Sequence, residues 1–351
     1  MSFSKQLLAV FCSLSPLFAH AAPDFGRFLV QWDNDLLTGS DRDYTNGARV
    51  AYIQDLDSNL ASHNWLQKGL YRLTGTEGSG LFDDYRYRKD GSNRFSWGIG
   101  LTQLMFTPDK PSAPVAPEGE RPYAGWLGLE FSLHVKNESS ASSVTLSLGT
   151  TGTNSYAEDA QTWIHEHLSD SPTFQGWDSQ VPGELTVNLH FDHKRQLKLD
   201  TWTSDWPIEV DGYTEWGAAL GNLRTDAYLG ALLRAGYHLP ASYTTPRVQI
   251  GSYGHALFNE KPNDSPYSIF GFAGVRASAV LQDISLDGPV FRDFDTGVDR
   301  EPLVGELLVG FGLRWKEADI SLSRTIRSDE FEGQNENQQF GSIQFRIQLP
   351  W

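Results

Sequence analysis

The sequence predicts an all-β fold: an antiparallel outer-membrane β-barrel of about 12 strands with a short helix in an outer loop. Three observations predict it. The chain ends on a strict alternation, with Ile343, Phe345, Ile347, Leu349 and Trp351 on one face and Ser342, Gln344, Arg346 and Gln348 on the other. A last strand with one face in oil, one in water and a terminal aromatic resembles the closing strand of a bacterial barrel. About twelve such alternating segments, an even number, are bounded by turn residues. The amino terminus carries Lys5, an apolar run from Leu7 to Ala19 and the triplet Ala19-His20-Ala21, the pattern of a cleaved export signal.

The signal would account for residues 1–21 and leave 22–351 as a single barrel domain, since no linker or break in composition divides them. The apolar run is shorter than the roughly 20 residues a membrane helix needs, and no later segment reaches that length. The one cysteine, Cys12, falls inside the signal, so the exported chain would have no disulfide and no thiol chemistry. A mean hydropathy of −0.39 does not oppose a membrane barrel, because only alternate residues need be apolar. The 11 Trp and 13 Tyr suit aromatic girdles at the membrane surfaces. A formal charge of −16 excludes nucleic acid as the main partner, and acidic clusters at such a surface suit divalent cations instead.

In chain order, the strands are expected at 25–33, 45–56, 94–106, 121–136, 141–152, 185–195, 209–221, 225–238, 268–282, 303–315, 318–326 and 338–350. The second is read through the Asn46-Gly47 dipeptide, which would otherwise suggest a hairpin turn, because the alternation continues past it. It would put Thr45, Gly47, Arg49 and Ala51 on the lumen face, opposite Ala48, Val50 and Tyr52. The fourth sets Leu129, Phe131, Leu133 and Val135 against Glu130, Ser132 and His134; the fifth sets Val144, Leu146 and Leu148 against Thr145, Ser147 and Gly149; the sixth sets Leu185, Val187, Leu189 and Phe191 against Thr186, Asn188, His190 and Asp192. Alternation of this kind also fits a soluble sandwich with its polar face outside; the export signal and the aromatic last strand favour the barrel. With a periplasmic amino terminus, 34–44, 107–120 and 153–184 are outer connections, and the last holds a helix from about Tyr156 to Leu168, ended by Asp170 to Pro172. The inner connections 57–93 and 240–267 are long for a barrel, and the first has a helical stretch from Trp65 to Leu73.

The unusual polar residues gather in the outer connections. WDNDLLTGSDRDYTNG packs Asp33, Asn34, Asp35, Asp41 and Asp43 between the first two strands, a set of hard oxygen donors of the kind calcium (Ca2+) takes. It is not an EF-hand, since Leu37 stands where an oxygen donor is needed, and a solvated acidic turn has the same composition. On the helix, Gln161 and His165 are four apart and share a face, whereas His165 and His167 do not, which rules out an HExxH-type zinc site. A lone helix histidine by itself carries no assignment.

Three segments in order, WDNDLLTGSDRDYTNG, ERPYAGWLGLEF and AQTWIHEHLSDSPTFQGWDSQ, resemble the signature segments of the lipid A 3′-O-deacylase family (LpxR type). The resemblance covers much of 27–180. It implies a twelve-stranded outer-membrane enzyme that removes the 3′-linked acyloxyacyl chain of lipopolysaccharide in a Ca2+-dependent hydrolysis. It places Asn34, Asp35, Thr45, Gln161 and His165 in the catalytic site, Asp35, Thr45 and Asp170 around the metal, and Arg121 at the substrate. His165 would take a proton from the attacking water, which requires a neutral imidazole. Ca2+ would polarise the ester carbonyl, and Asn34 would help hold the developing oxyanion. The chain departs from the family pattern in the loop after the third strand, where Lys110 is the nearest basic residue, and around Asp170, where the match is loose. Arg121 could equally pair with carboxylates of the lumen, and Trp126 and Trp177 are expected to pack. Oligomeric state is not legible.

Two other classes fit the residues. A serine-type outer-membrane phospholipase could use Ser40, Ser155 or Ser171, although no cue places a base beside any of them. A non-enzymatic pore or adhesin could use the acidic loop only to bridge Ca2+ and lipopolysaccharide.

Overall fold

The computed structural model describes residues 26–35, 43–56, 94–110, 112–136, 140–167, 174–197, 208–240, 246–251 and 265–349. The proposed signal peptide, the 57–93 segment with its Trp65–Leu73 stretch, Ser40, Asp41, Asp170 and Ser171 lie outside them.

The strands are β1 Gly26–Asn34, β2 Asp43–Leu56, β3 Arg94–Thr107, β4 Ala124–Lys136, β5 Ser140–Thr151, β6 Leu185–Leu197, β7 Glu209–Gly221, β8 Arg224–Tyr237, β9 Tyr267–Asp283, β10 Leu303–Trp315, β11 Ala318–Arg327 and β12 Gln338–Leu349. Among the described residues two α-helices interrupt them, α1 Ala157–His167 and α2 Ile284–Asp287. Every strand pairs antiparallel with its sequence neighbours, and β12 closes the barrel on β1 from Gly26↔Leu349 to Asn34↔Gly341. Closure leaves no unpaired edge, which is what a sheet in hydrocarbon requires. No described helix is long and apolar enough to cross a membrane.

The faces are inverted relative to a soluble sandwich. Leu129, Phe131, Leu146, Leu148, Val187 and Leu189 are exposed on the outside, while their alternates Glu130, Ser132, Thr145, Ser147, Asn188 and His190 are buried inside. Apolar outside and polar inside is the pattern of a wall in lipid. Arg49 donates to Glu130 at 2.8 Å and to Gln31 at 3.0 Å, and Gln31 donates to Gln344 at 2.8 Å, so side chains from β1, β2, β4 and β12 meet across the lumen.

Part of the long 240–267 connection enters that lumen. Val248 N donates to both oxygens of Asp33 at 3.1 and 3.0 Å, Gly251 N donates to Glu130 at 2.8 Å, and Arg247 donates to Glu306 at 2.6 Å. Gln31 and Arg49 also donate to the carbonyls of Arg247 and Gln249. Partners on β1, β2, β4 and β10 enclose the segment on all sides. At the rim where odd-numbered strands end, here the upper rim, Trp126, Val181, Leu223 and Ile284 form an apolar cluster with Ile250 and Phe294 packed against it. Segment 246–251 thus occupies part of the described lumen.

Candidate active site

The upper ends of β1, β2 and β3 carry one half of the site. Trp32 and Asn34 alternate with Gln31 and Asp33, whose side chains bond across the lumen, so the former pair faces outward. Asn34 Nδ2 lies 3.3 Å from the Thr45 carbonyl and 3.5 Å from Asn46 Oδ1, and Trp32 Nε1 donates to the same Asn46 oxygen at 2.7 Å. β2 slips register against β3 between Tyr44 and Asn46, so Thr45 is an extra residue of a β-bulge. Its hydroxyl meets Thr107 Oγ1 at 2.6 Å. Thr107 shares a face with Met105, which lies on the outside of the wall. Thr45 thus does not share the lumen face expected for it with Gly47, Arg49 and Ala51; the bulge reverses its side. Asp35 follows Asn34 at the end of β1 and is fully buried.

The other half is α1, which lies on the outer surface of the wall over β3 and β4. Gly125 makes this possible: a Cβ there would stand 2.2 Å from Ser155 Oγ and 2.5 Å from the Ala157 methyl, so only glycine lets the helix start so close to the sheet. Met105, Tyr123, Ala157, Phe174 and Trp177 fill the space beneath. Gln103 donates to the Ser155 carbonyl at 2.6 Å, tying the turn before α1 to β3. Gln161 and His165 occupy the buried face of the helix. Gln161 Oε1 accepts from Trp177 Nε1 at 2.7 Å, and Gln161 Nε2 is buried with no hydrogen-bond partner among the described residues. The His165 ring lies 5.8 Å from that of Phe174. Burial pushes the Tyr123 hydroxyl up to about 12, so the phenol stays a donor, to the Ala113 carbonyl at 3.1 Å. On the solvent side of α1, partial burial and the neighbouring Asp178 and Asp159 charges raise the Glu158 carboxyl.

Asn34, Thr45, Gln161 and His165 therefore come to one rim and to one side of the wall, flanking β3, whose Met105 pairs with Asn46 of β2 and Gly125 of β4. Thr107 and Asn46 were not singled out from the sequence. Trp177 was expected only to pack, and its bond to Gln161 has no signature in spacing.

Arg121 belongs to a buried polar cluster among the upper connections. It is fully buried, pairs with Glu330 at 2.7 Å, donates to Ser285 Oγ at 2.8 Å and stacks 4.4 Å from the Phe106 ring centre. It links three upper connections, the pairing with lumen carboxylates that its sequence context also allowed. Burial raises the Glu330 carboxyl, but Arg327 and Arg121 outweigh it and hold it below the usual carboxylate range. Lys110 is exposed and pairs with Glu120 at 3.4 Å. Ser155 donates to the Gly152 carbonyl at 2.6 Å inside a turn and is fully buried, a capping arrangement and not that of a nucleophile.

For Ca2+, the donor chemistry is right in kind: a buried carboxylate, Asp35, with the carbonyl and hydroxyl oxygens of Thr45 close to Asn34. Among the described residues no group of three or more His, Cys, Asp or Glu gathers that could hold a metal ion.

A search of curated proteins finds no match. Among solved structures, LpxR from Salmonella typhimurium superposes with a TM-score of 0.67 at 18% identity, over 92% of this chain and 99% of that one. The COG4313 outer membrane channel from Pseudomonas putida F1 gives a TM-score of 0.42 at 9% identity, over 94% and 96% of the two chains. The β domain of the Bordetella autotransporter BrkA gives 0.39 at 10% identity, over 92% and 97%. The first shows the same barrel fold; the other two scores are too low to carry an argument. The profile of the outer membrane protein LpxR matches residues 7–349, nearly the whole chain. With a closed barrel that is apolar outside and sequence agreement along almost its full length, the chain belongs to the LpxR outer membrane protein family.

Proposed function

We propose that this protein is an outer-membrane ester hydrolase that removes the 3′-linked acyl chain of lipid A, a lipid A 3′-O-deacylase. Family membership supports a lipid A deacylase of the outer membrane. One observation carries the finer reading: Asn34, Thr45, Gln161 and His165 are mounted on the outside of the wall at one rim, where a lipid headgroup and its ester would lie, and not in the lumen. A periplasmic amino terminus puts that rim at the outer leaflet, where lipopolysaccharide is.

In this reading His165 accepts a proton from a water molecule as the water oxygen attacks the ester carbonyl carbon. The tetrahedral intermediate then expels the 3′ oxygen of the sugar, which takes the proton back from His165, leaving a free acyl acid and a sugar hydroxyl. Gln161 Nε2 is a buried donor available to the oxyanion, whereas the Asn34 amide also holds the Thr45 carbonyl and so keeps the bulge in place. Asp35 and the oxygens of Thr45 would hold Ca2+, with Asp170 a further ligand implied by the family resemblance; when bound, the ion supplies a Lewis acid for the ester carbonyl.

The test is lipid A mass spectrometry on cells carrying the wild type or His165→Gln. That substitution keeps a hydrogen-bonding side chain, removes the base and should slow release of the 3′ chain by on the order of 10² to 10⁴. Undiminished deacylation by a normally assembled His165→Gln barrel would overturn the assignment of the base. Inhibition by a serine-directed reagent together with full activity in chelator would move the chemistry to a serine enzyme.

A further inference from the structure

We propose that Trp177 is a positioning residue for this site, its indole N–H fixing the Gln161 carboxamide so that Nε2, and not Oε1, is presented to the reacting ester. The proposal rests on the reading of Gln161 as a donor to the substrate.

The two ends of a carboxamide are nearly identical in shape, and which one faces a ligand is decided by the hydrogen bonds at the other. Here the other end meets an indole, which can donate and cannot accept. Trp177 Nε1 stands 2.7 Å from Gln161 Oε1. The amide oxygen must therefore point at Trp177, and Nε2 must point away from it. Gln161 is 3% exposed and its Nε2 has no partner among the described residues. A buried donor held without an acceptor is unfavourable unless something else supplies the acceptor, and Gln161 lies one helical turn before His165 on the same buried face of α1.

The anchor itself is held in place. Trp177 is 2% exposed, and its ring lies 5.5 Å from that of Tyr123, whose hydroxyl donates to the Ala113 carbonyl at 3.1 Å. Its backbone carbonyl accepts from Gln180 Nε2 at 2.9 Å. An indole so confined cannot turn to follow the amide. If packing were the whole task, phenylalanine would fill much of the same space; the feature that tryptophan adds is the N–H.

The experiment compares Trp177→Phe in two backgrounds, wild type and Gln161→Ala, using purified, folded barrels and lipid A in mixed micelles. In the wild-type background Trp177→Phe should lower kcat about three- to tenfold, the size expected for one neutral hydrogen bond, with apparent KM nearly unchanged. In the Gln161→Ala background it should lower kcat no further. A readout without turnover accompanies this: the indole N–H resonance that disappears in Trp177→Phe should shift in Gln161→Ala. An equal loss in both backgrounds means that Trp177 acts by packing, and no loss in the wild-type background means that the amide needs no anchor; either overturns the proposal. If the resonance shifts but Gln161→Ala keeps full activity, the bond exists and the reading of Gln161 as a site donor is what fails, so Trp177 positions nothing catalytic.

Discussion

Thr45 Oγ1 and Thr107 Oγ1 lie 2.6 Å apart, at the point where β2 slips register against β3. The pair shows how a bulge moves a candidate residue from one face of the wall to the other. An uninterrupted β2 would aim Thr45 into the lumen beside Gly47 and Arg49; one extra residue turns it to the outer face, where the end of β3 supplies a hydroxyl to meet it. Asn34 of β1 then braces the Thr45 carbonyl at 3.3 Å.

Thr107→Val should therefore weaken the site without unfolding the barrel. It keeps the shape of the side chain and removes the hydroxyl, leaving Thr45 without that partner, at a cost of about 1 kcal/mol. Deacylation should drop severalfold; Thr45→Val, which also removes a hydroxyl proposed to hold Ca2+, should lose more, and the double variant should be no worse than Thr45→Val alone. Activity of the single and double variants, with gel heat-modifiability as the control for folding, checks the coupling.

Chelation should abolish turnover, and excess Ca2+ should restore it. Asp35→Ala should be nearly inactive, and added Ca2+ should not rescue it, because it removes a buried carboxylate that the proposed ion would need. Lipid A mass spectrometry after EDTA treatment and after Ca2+ readdition measures both. Full activity in EDTA would remove the metal from the mechanism.

The Arg121–Glu330 pair should stabilise the upper rim down to low pH. The Glu330 carboxyl is held below its ordinary value in the folded protein, because Arg327 and Arg121 outweigh its burial. Its contribution is therefore fully present above the unfolded carboxylate pKa and is lost only as the pH falls through the lower, folded value. Arg121→Met would leave Glu330 with Arg327, at 3.2 Å, as its remaining cationic partner and should cost about 1.5–3 kcal/mol, the size of a lost hydrogen bond to a charged group. The unfolding temperature of wild type and Arg121→Met, followed from neutral pH to below the carboxylate range, should converge only at the acid end.

Gly251→Ala should loosen the filling of the lumen. Gly251 has φ +78, and a Cβ there would stand 2.4 Å from the His190 side chain. Left-handed backbone with a clash costs about 1–3 kcal/mol at a non-glycine residue. A lower unfolding temperature is expected, with kcat little changed because the site is on the other side of the wall. A large loss of activity in a barrel of unchanged stability would show that the lumen and the site are coupled.

The sequence by itself determined the strands, their number and their faces. Period-two alternation in segments such as Leu129 to Val135 dictates both the extended backbone and which side meets lipid, and β6 and β10 begin where the turn residues place them, at Leu185 and Leu303. The three motifs nominated the candidate site residues. Three things were decided only by tertiary structure. Alternation cannot register an inserted residue whose partner strand is 62 positions away, so the face of Thr45 was misjudged until its pairing with Thr107 was visible. Segment 246–251 carries no periodic signal, and it enters the lumen because carboxylates such as Glu130 and Glu306 on distant strands need partners there. The Trp177–Gln161 bond likewise depends on a loop folding back beneath a helix. Local patterns specify what each strand does with its own faces; which groups meet across the wall depends on closing the barrel, and that is a property of the whole chain.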